Sequence, residues 1–218
     1  MSEEKTYSED VKNVYTRIQD VFENLDIKGV TVLTGNNGSG KSLIRKQLPF
    51  LFKEKYDLPD ISKTRGMILS TSMDARTESR PEWGALSSML HDTSWVATSQ
   101  NTFRCVSALL NTIEKSEAGT HKYVVIDEYE IGCSEETIVA LATYISERLQ
   151  KLLADGKIEG AMIVTHSRLG IKHIKFDHFA NVEGKTFDEW MNREITPTDL
   201  VKLEENELFS YIRDLKHS

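Results

Sequence analysis

Apolar residues recur along this chain with two different periods. Glu9–Leu25 sets Val11, Val14, Tyr15, Ile18, Val21, Phe22 and Leu25 on one face at helical spacing. Val30–Leu33 is a short β-branched and aliphatic run that predicts a strand. Helical spacing returns over Ser42–Lys55, through Leu43, Ile44, Gln47, Leu48 and Leu51. Tyr56–Arg65 carries Pro59 and reads as a connector, and Gly66–Thr71 as a second strand. Ser72–Trp83 is charged, contains Pro81 and reads as a loop; Gly84–Leu90 reads as a short helix. Trp95–Thr102 is polar and predicts a turn, with Thr98 or Ser99 capping a helix over Asn101–Glu117. Phe103, Val106, Leu109, Leu110 and Ile113 stripe that helix. Tyr123–Ile126 and Ala161–Thr165 are continuously apolar strands. Between them Ser134 and Thr137 begin a helix that reaches about Asp155, where Gly156 ends it. Past Leu169 the pattern predicts short strands or a hairpin over Ile171–Phe187. Helices follow over Phe187–Arg193 and Asp199–Leu215, with Pro197 breaking between them.

Fully apolar strands alternating with amphipathic helices point to an α/β fold with a mainly parallel sheet flanked by helices. The 218 residues suit one domain: a core over 28–166, an N-terminal helix within 1–27 and a C-terminal extension over 167–218. No apolar run approaches the roughly 20 residues of a membrane span. Met1–Asp10 is polar and acidic, unlike a secretory leader, so a cytoplasmic location is expected. The formal net charge of −7 argues against a broadly nucleic-acid-coating surface, while leaving room for a local basic patch. Cys105 and Cys133 are not in metal-type spacing and read as reduced thiols. His173 and His178 lack the accompanying carboxylate–histidine set of a metal site.

The chemistry concentrates in three places. Gly35-Asn36-Asn37-Gly38-Ser39-Gly40-Lys41-Ser42 matches the phosphate-binding P-loop pattern between a strand and a helix. Its backbone N–H groups form an anion cradle, Lys41 reaches the β- and γ-phosphates, and the Ser42 hydroxyl is suited to Mg²⁺. Tyr123-Val124-Val125-Ile126-Asp127-Glu128 is an apolar strand ending in two carboxylates, the Walker B pattern. There Asp127 would hold Mg²⁺ and Glu128 would deprotonate the attacking water. The strand after it ends in His166, positioned to sense the γ-phosphate. Tyr7 and Tyr15 are both candidates for stacking on adenine. Asp74, Arg76 and Arg80 are available for phosphate, metal or partner contacts.

With Gly35–Ser42, Val124–Glu128 and His166 in hand, the chain resembles the ABC-type class of P-loop ATPases over roughly residues 28–166. It is more similar to the soluble branch than to a transporter subunit. That branch includes SMC-like DNA-maintenance ATPases and small ATPases of phage and bacterial conflict systems. The resemblance implies ATP held between two head-to-tail subunits, each facing its P-loop with the other's signature loop. By position Thr98-Ser99-Gln100-Asn101 would be that loop, with Ser99 against the opposed γ-phosphate, although it lacks the family's glycines. Gly132-Cys133-Ser134 would cross the dimer interface, and Ser72 or Asp74 stands nearest to where a glutamine loop is expected. The gap between the two nucleotide motifs leaves no room for a long coiled-coil arm.

The expected function is Mg²⁺-dependent binding and hydrolysis of ATP, with catalytic Glu128, Lys41 and His166 and metal ligands Ser42 and Asp127. Hydrolysis would drive a switch in a homodimer or a complex with a protein partner. One alternative is a nucleotide-binding regulatory or scaffold module with little turnover. Another is a P-loop small-molecule kinase using Arg65, Arg76 or Arg80 as a phosphate lid.

Overall fold

The apolar runs become five parallel strands. The computed structural model describes residues 9–36, 39–60, 67–71, 98–119 and 122–194. In chain order the elements are α1 (Glu9–Glu23), β1 (Gly29–Thr34), α2 (Lys41–Lys55), β2 (Ile68–Thr71), α3 (Thr98–Lys115) and β3 (Tyr123–Asp127). These are followed by α4 (Glu135–Ala154), β4 (Gly160–Val164), α5 (Arg168–Ile171), β5 (His178–Asn181) and α6 (Phe187–Asn192). The sheet order is β2-β3-β4-β1-β5, and every neighbouring pair is parallel. β4 therefore lies between β1 and β3, pairing Leu33 and Asp127 with Val164 from its two sides.

Both faces of the sheet are covered, which explains why β3 and β4 are apolar without alternation. Successive side chains still go to opposite faces. Val124 and Ile126 of β3 join Ala161 and Ile163 of β4 in one core, packed with Val106, Leu109 and Leu110 of α3 and Leu141, Ile145 and Leu149 of α4. Tyr123 and Val125 join Met162 and Val164 in the other, with Ile44, Leu48 and Phe52 of α2 and Ile18 of α1. The protein is thus a helix–sheet–helix α/β structure. Among the described residues no helix is long and apolar enough to cross a membrane.

Two expectations need correction. The turn expected over Trp95–Thr102 is helical from Thr98, so Ser99 lies in the first turn of α3 rather than capping it. Thr102 is fully buried there, and this packing holds the polar first turn in the helix. Of the short strands or hairpin expected over Ile171–Phe187, one short strand forms, β5, and no hairpin. The Ser167 hydroxyl instead accepts the Gly170 N–H at 2.9 Å and caps α5. The chain then crosses to β5, which pairs in parallel with β1. A parallel partner needs a crossover rather than a tight turn. β5 belongs to the sheet, and Ile171, Ile174, Val182 and Trp190 are buried with it.

Several positions lie outside the described residues. They are Tyr7, Asn37, Gly38, Arg65, Ser72, Asp74, Arg76, Arg80, the proposed helix Gly84–Leu90, Pro197 and the proposed helix Asp199–Leu215.

Candidate functional site

Parallel strands end on the same edge of a sheet. β3 and β4 finish in register and β1 runs one residue further, so Gly35, Glu128 and Thr165 emerge at the same edge. Ligands collect at such carboxyl ends.

From β1 the chain enters the glycine loop. A Cβ on Gly35 would stand 2.5 Å from Ser39 Oγ, so an alanine there would force that hydroxyl to move. Gly40 caps α2 with φ +100°, a left-handed conformation that favours glycine. Leu43 and Ile44 then donate their N–H groups to its carbonyl at 2.9 and 3.2 Å, starting the helix. Lys41, only 5 % exposed, is drawn into the loop. Its ammonium donates to the carbonyls of Gly35 at 3.2 Å and Asn36 at 2.8 Å. Burial pulls its pKa down, while Glu128, Asp127, Glu183 and Glu130 pull the other way. Ser39 is buried at its hydroxyl oxygen, which has no hydrogen-bond partner among the described residues. Ser42 is exposed in the first turn of α2.

β3 delivers the carboxylates. The Asp127 side chain is 10 % exposed and lies 3.5 Å from Arg45 of α2. Burial raises its pKa to about 6, with Arg45 opposing and Glu128 assisting. Glu128 follows with φ +52°, a left-handed backbone that costs a non-glycine residue about 1 kcal/mol. Its N–H donates to Val164 O at 2.8 Å, extending the β3–β4 ladder one step past the strand. Its Oε1 lies 3.1 Å from His166 Nε2, with both side chains half-buried. An ionised carboxylate only accepts, so the pairing places the hydrogen on Nε2.

The structure also shows residues that the sequence reading passed over. Arg45 stands four positions after Lys41, one helical turn on, so its shared face was legible from spacing. Glu130 accepts the Thr165 hydroxyl at 2.8 Å and the His166 N–H at 2.6 Å. Glu183 accepts the Asn36 N–H at 2.8 Å and pairs with Lys185 at 2.7 Å. Its burial opposes ionisation, but Lys185 and the Asn36 N–H outweigh that and hold its pKa below the usual range. Asn181, nearly fully buried, donates to Thr34 Oγ1 at 2.9 Å and accepts the Glu183 N–H at 2.9 Å. Only the fold brings these last residues to the loop.

Gly35, Asn36, Ser39, Gly40, Lys41, Asp127, Glu128 and His166 thus gather at one edge. Ser99 belongs to a different feature. With Gln100, Phe103 and Arg104 it lines an open groove of about 670 Å³ against Thr137, Ala140 and Leu141 of α4. Cys133 lies in the turn before α4, and Ser134 caps that helix by accepting the Thr137 N–H. His173 and His178 lie elsewhere: His173 follows α5, and His178 opens β5 beside Asp26 at 3.5 Å.

The donor set suits a polyphosphate with a hard cation. Lys41 could supply an ammonium, Ser39 a buried hydroxyl, and Asp127 and Ser42 oxygen atoms of the kind Mg²⁺ takes together with phosphate. Glu128 and His166 add an acid–base pair beside them. No protein-family model matches the chain, and no curated protein matches it.

Proposed function

We propose that the chain binds ATP with Mg²⁺ and hydrolyses it, as an ABC-like P-loop ATPase whose nucleotide state switches a dimer or a protein complex. The observation that carries this reading is the convergence of Lys41, Asp127, Glu128 and His166 at one edge of the sheet, with Glu128 and His166 3.1 Å apart. The Gly35–Ser42 loop and Lys41 would receive the phosphates. Asp127 and Ser42 would hold Mg²⁺, which when bound neutralises phosphate charge and orients the γ-phosphate.

Glu128 is the base. It takes the proton of a water whose oxygen forms the new bond to the γ-phosphorus as the bond to the bridging oxygen of ADP breaks. His166 aligns that carboxylate and lies ready to contact the γ-phosphate. In the sandwich arrangement Ser99 would face the nucleotide of a second subunit. Nucleic acid stays an alternative partner at a local basic patch.

A second reading is a nucleotide-binding regulatory module with little turnover. The helical setting of Ser99, in place of a glycine loop, favours it.

Phosphate release by the protein, and the solution mass of Glu128→Gln with and without Mg²⁺-ATP, decide among these readings. The substitution keeps the side chain's shape and removes the base, so phosphate release should fall at least about 100-fold. The mass should double only when Mg²⁺-ATP is present. A trapped nucleotide on an unchanged monomer would sink the self-sandwich. Bound ATP without phosphate release by the unsubstituted protein would favour the regulatory module. If neither the protein nor its Lys41→Ala variant binds ATP, the nucleotide reading itself fails.

A further inference from the structure

We infer that Glu130 is a positioning residue that sets the His166 imidazole against Glu128; the inference rests on the hydrolytic reading above. Glu130 lies in the turn joining β3 to α4, whereas His166 lies beyond β4. Their link is therefore a bridge between two loops rather than a local contact. One oxygen, Oε1, takes both the Thr165 hydroxyl at 2.8 Å and the His166 N–H at 2.6 Å.

The rest of the segment is fixed as well. Thr165 donates its N–H to Leu33 O at 3.1 Å, and its Oγ1 accepts the Ser167 N–H at 3.0 Å. Every backbone N–H from Thr165 to Ser167 thus has a partner. The Glu130 bond is the one that fixes the peptide carrying the imidazole. With its backbone pinned on both sides, His166 has its ring nitrogen delivered to Glu128 at 3.1 Å.

Two features are difficult to explain by loop-tying alone. Glu130 Oε2 is buried with no hydrogen-bond partner among the described residues. An unused buried acceptor is costly, and a serine or threonine hydroxyl would avoid it but is shorter than a glutamate side chain. Glu130 also adds a third negative charge beside Asp127 and Glu128, where it acts on both Asp127 and Lys41. What glutamate supplies is reach. Its carboxylate spans from the β3 turn to two donors on the adjacent loop and meets both with one atom.

The test separates reach from charge. Glu130→Gln keeps the length and an acceptor oxygen but loses the charge. Glu130→Asp keeps the charge but is one methylene short. Glu130→Ala loses both. The protein has six histidines, so ¹⁵N-histidine labelling, with His166 assigned by His166→Gln, reads the ring nitrogen without turnover.

The expected result is that Glu130→Gln keeps the hydrogen-bonded Nε2 signal and a kcat near that of the parent. Glu130→Asp and Glu130→Ala should lose that signal, and their kcat should fall about 10- to 100-fold with KM for ATP little changed. Two outcomes overturn the proposal: an active Asp variant beside an inactive Gln variant, or an unmoved His166 signal in folded Glu130→Ala. If Glu130→Ala does not fold, the Asp–Gln comparison decides alone. Should the parent release no phosphate, the hydrolytic reading falls, while the imidazole signal still settles whether Glu130 holds His166.

Discussion

At the scale of single residues, Asp127 makes the site sensitive to pH. Its carboxyl has a pKa of about 6 in the folded protein against 3.8 for the ordinary group, because burial outweighs the help of Arg45. The folded state therefore holds this proton more tightly than the unfolded chain does. The associated stabilisation is complete below the unfolded value and is lost as pH rises through about 6. At neutral pH the ionised carboxylate is a burden on the fold. Asp127→Asn should consequently be the more stable protein at pH 7.5 without magnesium, by about 3 kcal/mol. The gap should close by pH 4, as paired thermal melts would show. Under the proposed function the same proton competes with the cation, so Mg²⁺-dependent nucleotide affinity should weaken below about pH 6. An affinity that is flat from pH 5 to 8 would remove Asp127 from the metal site. Glu128 tells a related story in its backbone: a left-handed glutamate beside a paired histidine is strain kept at a site where side-chain direction matters.

Among the elements, β5 and the turn after it act as a brace for the glycine loop. Asn181 joins Thr34 to the Glu183 and Lys185 N–H groups, Val182 donates to Thr34 O at 3.0 Å, and Glu183 holds Asn36. Asn181→Ala leaves those groups unpaired in a buried place. It should destabilise the protein by about 2–3 kcal/mol in urea unfolding and weaken nucleotide binding with it. Glu183→Gln should be milder, since an amide oxygen still accepts from Asn36. None of this brace was legible in the sequence. His178-Phe179-Ala180-Asn181 is short and only partly buried, so its pattern could not separate a strand from a hairpin arm. The long apolar strands and the glycine loop were legible, because β3 and β4 announce their burial in every residue. The start of α3 was not: Thr98–Asn101 has turn-like composition, and tertiary packing of Thr102 decides its state.

For the whole molecule, the layering followed from the apolar runs, but the order of strands did not. Nothing local says that β4 enters between β1 and β3, yet that insertion sets Thr165 and His166 between the glycine loop and the carboxylates. Glu130 and Glu183 escaped notice as site residues for the same reason, whereas Arg45 could have been read from its spacing to Lys41. Their importance lies in contacts across the sheet, and such contacts have no local signature.

The brace also imposes a schedule on the protein's manufacture. Asn36 and Glu183 are 147 residues apart, as are Thr34 and Asn181. At bacterial to eukaryotic translation speeds the ribosome needs about 7 to 30 s to travel that distance. Through that interval the glycine loop exists as sequence without its support. A chain halted after Asp177 already contains the loop, Asp127, Glu128 and His166, yet it should fail to retain a fluorescent ATP analogue. One extended beyond the brace should retain it. Nucleotide would then arrive only once synthesis has passed the brace, and a prematurely ended chain would not compete for it.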